Sequence, residues 1–83
     1  MIPDWVCEIL SPTTQDIDRE VEMPLYAHHR IPFAWLVDPK DKTLEAFELR
    51  GGKWQPLGVF RADDKVSIAP FEAATIDLAD LWG

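Results

Sequence analysis

Residues 32–39 read Pro-Phe-Ala-Trp-Leu-Val-Asp-Pro. Five consecutive apolar side chains, Phe33 to Val37, leave no polar face, which is the signature of a strand buried on both sides. The stretch before it sets the context. Asp4 to Leu10 (DWVCEIL) is apolar apart from two acids and is bounded by Pro3 and by Ser11-Pro12, so it reads as a second buried strand. Between the two lies TTQDIDREVEMPLYAHHR, where Ile17, Val21, Leu25 and His28 recur at helical spacing. Thr13 or Thr14 is placed to cap this helix. Asp16, Asp18, Glu20 and Glu22 load its early turns with charge that suits the positive end of the helix dipole. Pro24 removes one backbone donor, so a kink or 3₁₀ distortion is expected near Glu20–Pro24. Ile31-Pro32 ends the helix. Strand, helix and strand within about 35 residues form a βαβ unit, with parallel strands and a right-handed crossover.

Downstream, Asp38-Pro39-Lys40-Asp41-Lys42 is a turn and Gly51-Gly52 is a two-residue hairpin loop. The loop joins Thr43–Arg50 to Lys53–Phe60 and sets a register with Leu49 opposite Trp54 and Phe47 opposite Pro56. Pro56 places the second arm at a sheet edge or a bulge. Val66–Ile68 is a short strand, Phe71–Ile76 is extended or irregular, and residues 77–82 form one helical turn that docks Leu78, Leu81 and Trp82. The expected fold is α+β (α/β-like). It is a mixed sheet in the order β-α-β-β-β, with one main helix and a short C-terminal helical turn. One helix covers one sheet face, so the other face is expected to lack a covering layer.

The 83 residues make one domain, 1–83. A chain of this size has roughly 3–5 kcal/mol of net stability to expect from its own core. Hydrophobic residues at 47% and four tryptophans are globular composition and argue against a disordered chain. Trp35 reads as core, and Trp5, Trp54 and Trp82 as core or interface. Fifteen acids against eight bases give a net charge of −7, which disfavours nucleic acid and anionic membrane as general partners. The single cysteine, Cys7, rules out an internal disulfide framework and a multi-cysteine zinc site. No apolar run reaches the ~18 residues of a membrane span, and no signal peptide is visible, so a cytoplasmic location is expected.

Few residues carry a chemical signal of their own. His28 and His29 are adjacent, so on a helix their rings diverge by about 100° and do not converge on one ion; a charge role at the helix C-terminus fits them better. Cys7 has no nucleophile motif around it and reads as a small core residue. Ser11 lacks the flanking glycines of a nucleophile elbow and reads as a cap or turn residue.

Three blocks taken together resemble a known family. PDWVCEILSPTT, then DREVEMPLYA, then IPFAWLVDP are similar to the C-terminal part of the Uma-two family, bacterial proteins with the restriction-endonuclease-like PD-(D/E)XK fold. Pro3, Asp4, Glu8, Leu10, Ser11, Pro12 and Thr14 match the first block. Asp18, Arg19, Tyr26 and Ala27 match the second. Pro32, Trp35, Leu36, Val37, Asp38 and Pro39 match the third. The Gly-Gly hairpin and the closing Asp-Leu-Ala-Asp-Leu-Trp also resemble the family's tail.

The resemblance implies a nuclease ancestry, in which carboxylates hold Mg²⁺ or Mn²⁺ and the metal activates water against a phosphodiester. It makes Glu8 the metal ligand and catalytic acid of the motif. The family's lysine falls at the position of Glu22, and Leu10 stands two residues after Glu8, so neither place offers a cation. An anion for a cation beside a metal–phosphate site reverses a contribution of about 4 kcal/mol per charge at an effective dielectric near 20. The family's first metal-binding aspartate lies on a strand upstream of this block, and the chain is expected to be a truncated form of the domain. Asp4 does not replace it: on a regular strand it lies roughly 13 Å from Glu8.

Two functional expectations follow. One is a catalytically inactive remnant that persists as a homo-oligomer, most simply a dimer, using the edge of the first strand with Trp5, Cys7 and Ile9 at the interface, or the uncovered sheet face. The other is a divalent-metal-dependent DNA endonuclease with Glu8 as ligand, completed in one version by a second chain.

Overall fold

The computed structural model describes residues 3–11, 13, 16 and 18–82. Its main sheet has four strands in the order β1-β2-β3-β4, with β1 Val6–Ile9, β2 Phe33–Asp38, β3 Thr43–Arg50 and β4 Lys53–Arg61. β1 runs parallel to β2, and the remaining pairs are antiparallel. The chain between β1 and β2 holds a π-helical turn, Asp18–Glu22, that runs directly into helix α1, Met23–His28. The expected distortion beside Pro24 is therefore present, but the turn is wider than α rather than tighter. Proline offers no N–H to the preceding turn, so the regular i→i−4 ladder cannot run through it.

Two tight turns shape the connections. The hairpin register is the expected one: Phe47 faces Pro56 and Leu49 faces Trp54. Gly51 and Gly52 have φ of 58° and 79°, and two successive positive φ values are what a two-residue turn needs to follow the strand twist. β4 is an edge strand, and the register slips between Ala46 and Phe47, opposite Gly58 and Pro56. Pro56 thus sits at both an edge and a bulge. Helix α1 ends in a Schellman arrangement, with Arg30 N–H donating to the Ala27 carbonyl and Ile31 N–H to the Tyr26 carbonyl. Arg30 takes the left-handed position, with φ of 61°.

The helical stripe expected from the sequence does not face the sheet. Val21 and Leu25 are exposed, and Met23 is buried in their place. Ile17 and Thr14 lie outside the described residues. Met23 packs with Leu10, Ala34 and Leu36 on the helix-covered face, joined by Val6, Tyr26, Phe47 and Trp54.

The opposite face is covered too, which corrects the expectation of a missing layer. Residues 62–82 fold back beneath it. They form a two-stranded ribbon, β5 Lys65–Val66 and β6 Ile76–Asp77, and a 3₁₀ turn, Leu78–Leu81. Val66, Ile68 and Leu78 meet Trp35, Val37, Leu44 and Ala46 in a second core. Asp77 caps the turn by accepting from Ala79 N–H at 3.1 Å. Trp82 Nε1 donates to the Ala62 carbonyl at 2.6 Å. Leu78 is fully buried, whereas Leu81, expected to dock beside it, is exposed. The sequence hid this layer because its strands are two residues each, below the length at which alternation can be read.

Candidate functional site

Glu8 stands on β1 opposite Leu36 of β2. Strand alternation puts Val6 and Glu8 on the helix-covered face, and Trp5, Cys7 and Ile9 on the other. Glu8 therefore points to where the π turn passes into α1, and that junction supplies its partners. Tyr26 donates its hydroxyl to a Glu8 carboxylate oxygen. The same hydroxyl lies 3.3 Å from Oε2 of Glu22, one helical turn earlier. Burial, then the hydrogen bond to Glu8 and the negative charge of both acids, pushes the Tyr26 phenol far above its ordinary range. Tyr26 matters to the site, and its sequence match alone did not show how. The readable signal was the i, i+4 spacing of Glu22 and Tyr26, which places both on one helix face.

Arg19 does not join this cluster. Its guanidinium forks onto Glu45 of β3, with Nη2 at 2.5 Å from Oε1 and Nη1 at 3.2 Å from Oε2. The hydrogen bond to Glu45 raises its already high pKa. The nearest matched cation is thus committed to tying the π turn to the sheet. Beside it lies a groove of about 200 Å³ lined by Arg19, Met23, Leu36, Phe47 and Trp54. That falls below the ~300 Å³ at which small-molecule pockets begin.

The other sequence candidates scatter. Asp4 lies in a bend and is exposed. Asp38 serves the turn after β2, accepting from the N–H groups of Lys40 and Asp41 at 3.0 and 3.2 Å. Ser11 Oγ meets Thr13 Oγ1 at 3.2 Å, a turn contact. The rings of His28 and His29 are exposed, 5.5 Å apart and nearly perpendicular.

The three expected interface residues divide. Trp5 is half-buried, edge-to-face with Trp35 at 5.2 Å and with Phe71 at 4.9 Å. Cys7 packs on the same core, where burial first and the charge of Glu8 second push its thiol up. Ile9 alone presents its side chain, 62% exposed. A wider cleft of about 460 Å³, lined by Lys42, Ala62, Asp63, Ala79 and Trp82, shares no residue with the Glu8 cluster.

A divalent ion of the nuclease kind asks for several converging oxygen donors. Glu8 and Glu22 bring two carboxylates, and the phenol proton already occupies Glu8. Among the described residues no group of three or more His, Cys, Asp or Glu side chains is placed to hold a metal ion. The residues present do not fit such an ion.

Comparison with known proteins agrees with the fold. A family model described as "Putative restriction endonuclease" matches residues 2–79. The crystal structure of "a putative nuclease belonging to DUF820" from Anabaena variabilis superposes with a TM-score of 0.68 at 25% identity. The match covers 95% of this chain and 43% of that one, so the chain spans less than half the length of the nuclease it resembles. No curated protein matches. Among the described residues no helix is long and apolar enough to cross a membrane.

Proposed function

The chain belongs to the Uma2 family, and on that premise we propose that it is a nuclease-fold chain, catalytically silent by itself, that acts as a small homo-oligomeric module joined through the open edge of β1. The contrast between the two sheet edges carries this reading. β4 is guarded by Pro56, by a bulge and by Lys53 and Arg61 at its ends, the devices that stop an edge from pairing. β1 reads Val-Cys-Glu-Ile and has none of them, yet among the described residues only β2 pairs with it. Its one acid is turned to Tyr26 on the helix face, and Ile9 is exposed beside the open backbone.

Silence is supported by Glu22 at the position of the family's lysine, by the poor fit of the carboxylates to a metal, and by a net charge of −7 against a phosphate backbone. Sedimentation at micromolar concentration tests the association. A dimer that strengthens with salt, as mutual repulsion is screened, and that Ile9→Lys weakens is the expected result. A stable monomer overturns it. No cleavage of DNA with Mg²⁺ or Mn²⁺ is expected, and cleavage abolished by Glu8→Ala would refute the silence.

One observation favours a second reading. The nuclease that this chain resembles is more than twice the length matched. A divalent-metal endonuclease with Glu8 as ligand, completed by another chain, would show activity only on mixing the two.

A further inference from the structure

The helical segment between β1 and β2 carries apolar side chains on two faces. Met23 meets the sheet. Val21 and Leu25 stand two positions before and after it, which on a helix is roughly the opposite side. They are 59% and 49% exposed, and Pro24, exposed between them, extends the patch. Spacings of three and four residues join Val21, Pro24 and Leu25 into one stripe turned away from the sheet. A single exposed leucine carries no message, but the charge at the two ends of this stripe identifies what covers it. Asp16 and Glu20 stand exposed before it, and His28, His29 and Arg30 stand exposed after it. Arg19, the only cation of residues 13–22, is held on Glu45. The two ends are therefore opposite in sign. A second copy laid antiparallel across the stripe sets the acidic start of each helix against the basic end of the other, twice over by two-fold symmetry. A parallel copy would set like charges together. We propose that the outward face of α1 and its π turn is a self-docking surface, on which Val21, Pro24 and Leu25 meet the same three residues of a second, antiparallel copy. This surface is separate from the β1 edge and does not need the edge pairing. Three side chains per copy fall well short of the ~800 Å² per partner of a standard interface, so the contact forms at higher concentration than an edge dimer. Where the edge also pairs, a two-fold normal to the sheet leaves both stripes on one face, and two edge dimers dock as a tetramer.

Sedimentation of the 83-residue chain carrying Ile9→Lys, from micromolar toward millimolar concentration, reads the stripe apart from the edge. A monomer–dimer equilibrium is expected, weakened at least about tenfold by Leu25→Lys. Val21→Lys is the second variant should Leu25→Lys fail to fold. Glu20→Lys alone and Arg30→Glu alone are each expected to weaken the dimer, and the double variant Glu20→Lys/Arg30→Glu to restore it. Only an antiparallel pair gives that restoration, because each exchanged charge then meets the other. A monomer at every concentration overturns the proposal, as does a dimer indifferent to both Leu25→Lys and Val21→Lys. Single charge variants that weaken the dimer without rescue by the double variant overturn the antiparallel pairing. A wild-type dimer that Ile9→Lys abolishes keeps the edge reading and removes this one. A dimer that ignores Ile9→Lys and yields to Leu25→Lys does the reverse, so the two readings fail separately.

Discussion

The indole Nε1–H of Trp54 donates to the backbone carbonyl of Met23 at 2.8 Å. The contact joins the hairpin's edge strand to the first residue of α1, 31 positions earlier in the chain. Trp54→Phe keeps an aromatic ring in place but removes the donor together with part of the packed ring surface. It is expected to cost about 1 kcal/mol, read as a lower urea midpoint with an unchanged slope.

Leu78 tests whether the C-terminal stretch is a structural layer or an appendage. It is fully buried among Trp35, Val37 and Leu44, and its N–H donates to the Asp64 carbonyl at 3.0 Å. Leu78→Ala is expected to cost roughly 3 kcal/mol. Against a total of roughly 3–5 kcal/mol for a chain this size, that would leave a substantial unfolded fraction at room temperature, visible by circular dichroism. An unchanged melting temperature would mean that the tail does not belong to the core.

Arg30 offers a gain. Its left-handed φ of 61° closes the Schellman end of α1 and holds Ile31 in the core, yet a side chain there is strained where glycine is not. Arg30→Gly is expected to stabilise the fold by about 0.5–1 kcal/mol, measured by chemical denaturation.

Tyr26 is the only tyrosine, so its ionisation can be followed alone at 295 nm. Its folded pKa is raised by burial and by Glu8 and Glu22. The protonated phenol is thus favoured by folding. Its contribution is complete below the unfolded value near 10 and is lost as pH climbs from there toward the folded value. Tyrosinate absorbance is expected to appear only together with unfolding above pH ~10. Tyr26→Phe should flatten this alkaline loss of stability. Tyrosinate formed in the folded chain near pH 10 would contradict the placement of the Tyr26 hydroxyl against Glu8 and Glu22.

The hairpin was legible to the residue. Gly51-Gly52 fixes the turn, and a two-residue turn leaves one register for Leu49 with Trp54 and Phe47 with Pro56. The neighbouring apolar pair Ala46 and Phe47, awkward for a one-sided sheet, is explained by a sheet with both faces covered: the two side chains enter different cores. The helix was less legible. Its sequence reads as one stripe through Ile17, Val21, Leu25 and His28. The sheet instead buries Met23, which packs with Leu10 and Leu36, and turns Tyr26 toward Glu8.

By itself the sequence determined the parallel strand pair, the helix between them, the hairpin and its register, the family, and the absence of a cation at Leu10 and Glu22. These depend on local periodicity, turn chemistry and residue identity, all of which act over a few positions. The packed fold alone made residues 62–82 the second layer, turned Trp5 inward while leaving Ile9 exposed, and committed Arg19 to Glu45. It alone brought Tyr26 between Glu8 and Glu22. Each of these contacts joins segments distant along the chain or depends on which face an element buries, and packing against the sheet, not local pattern, makes that choice.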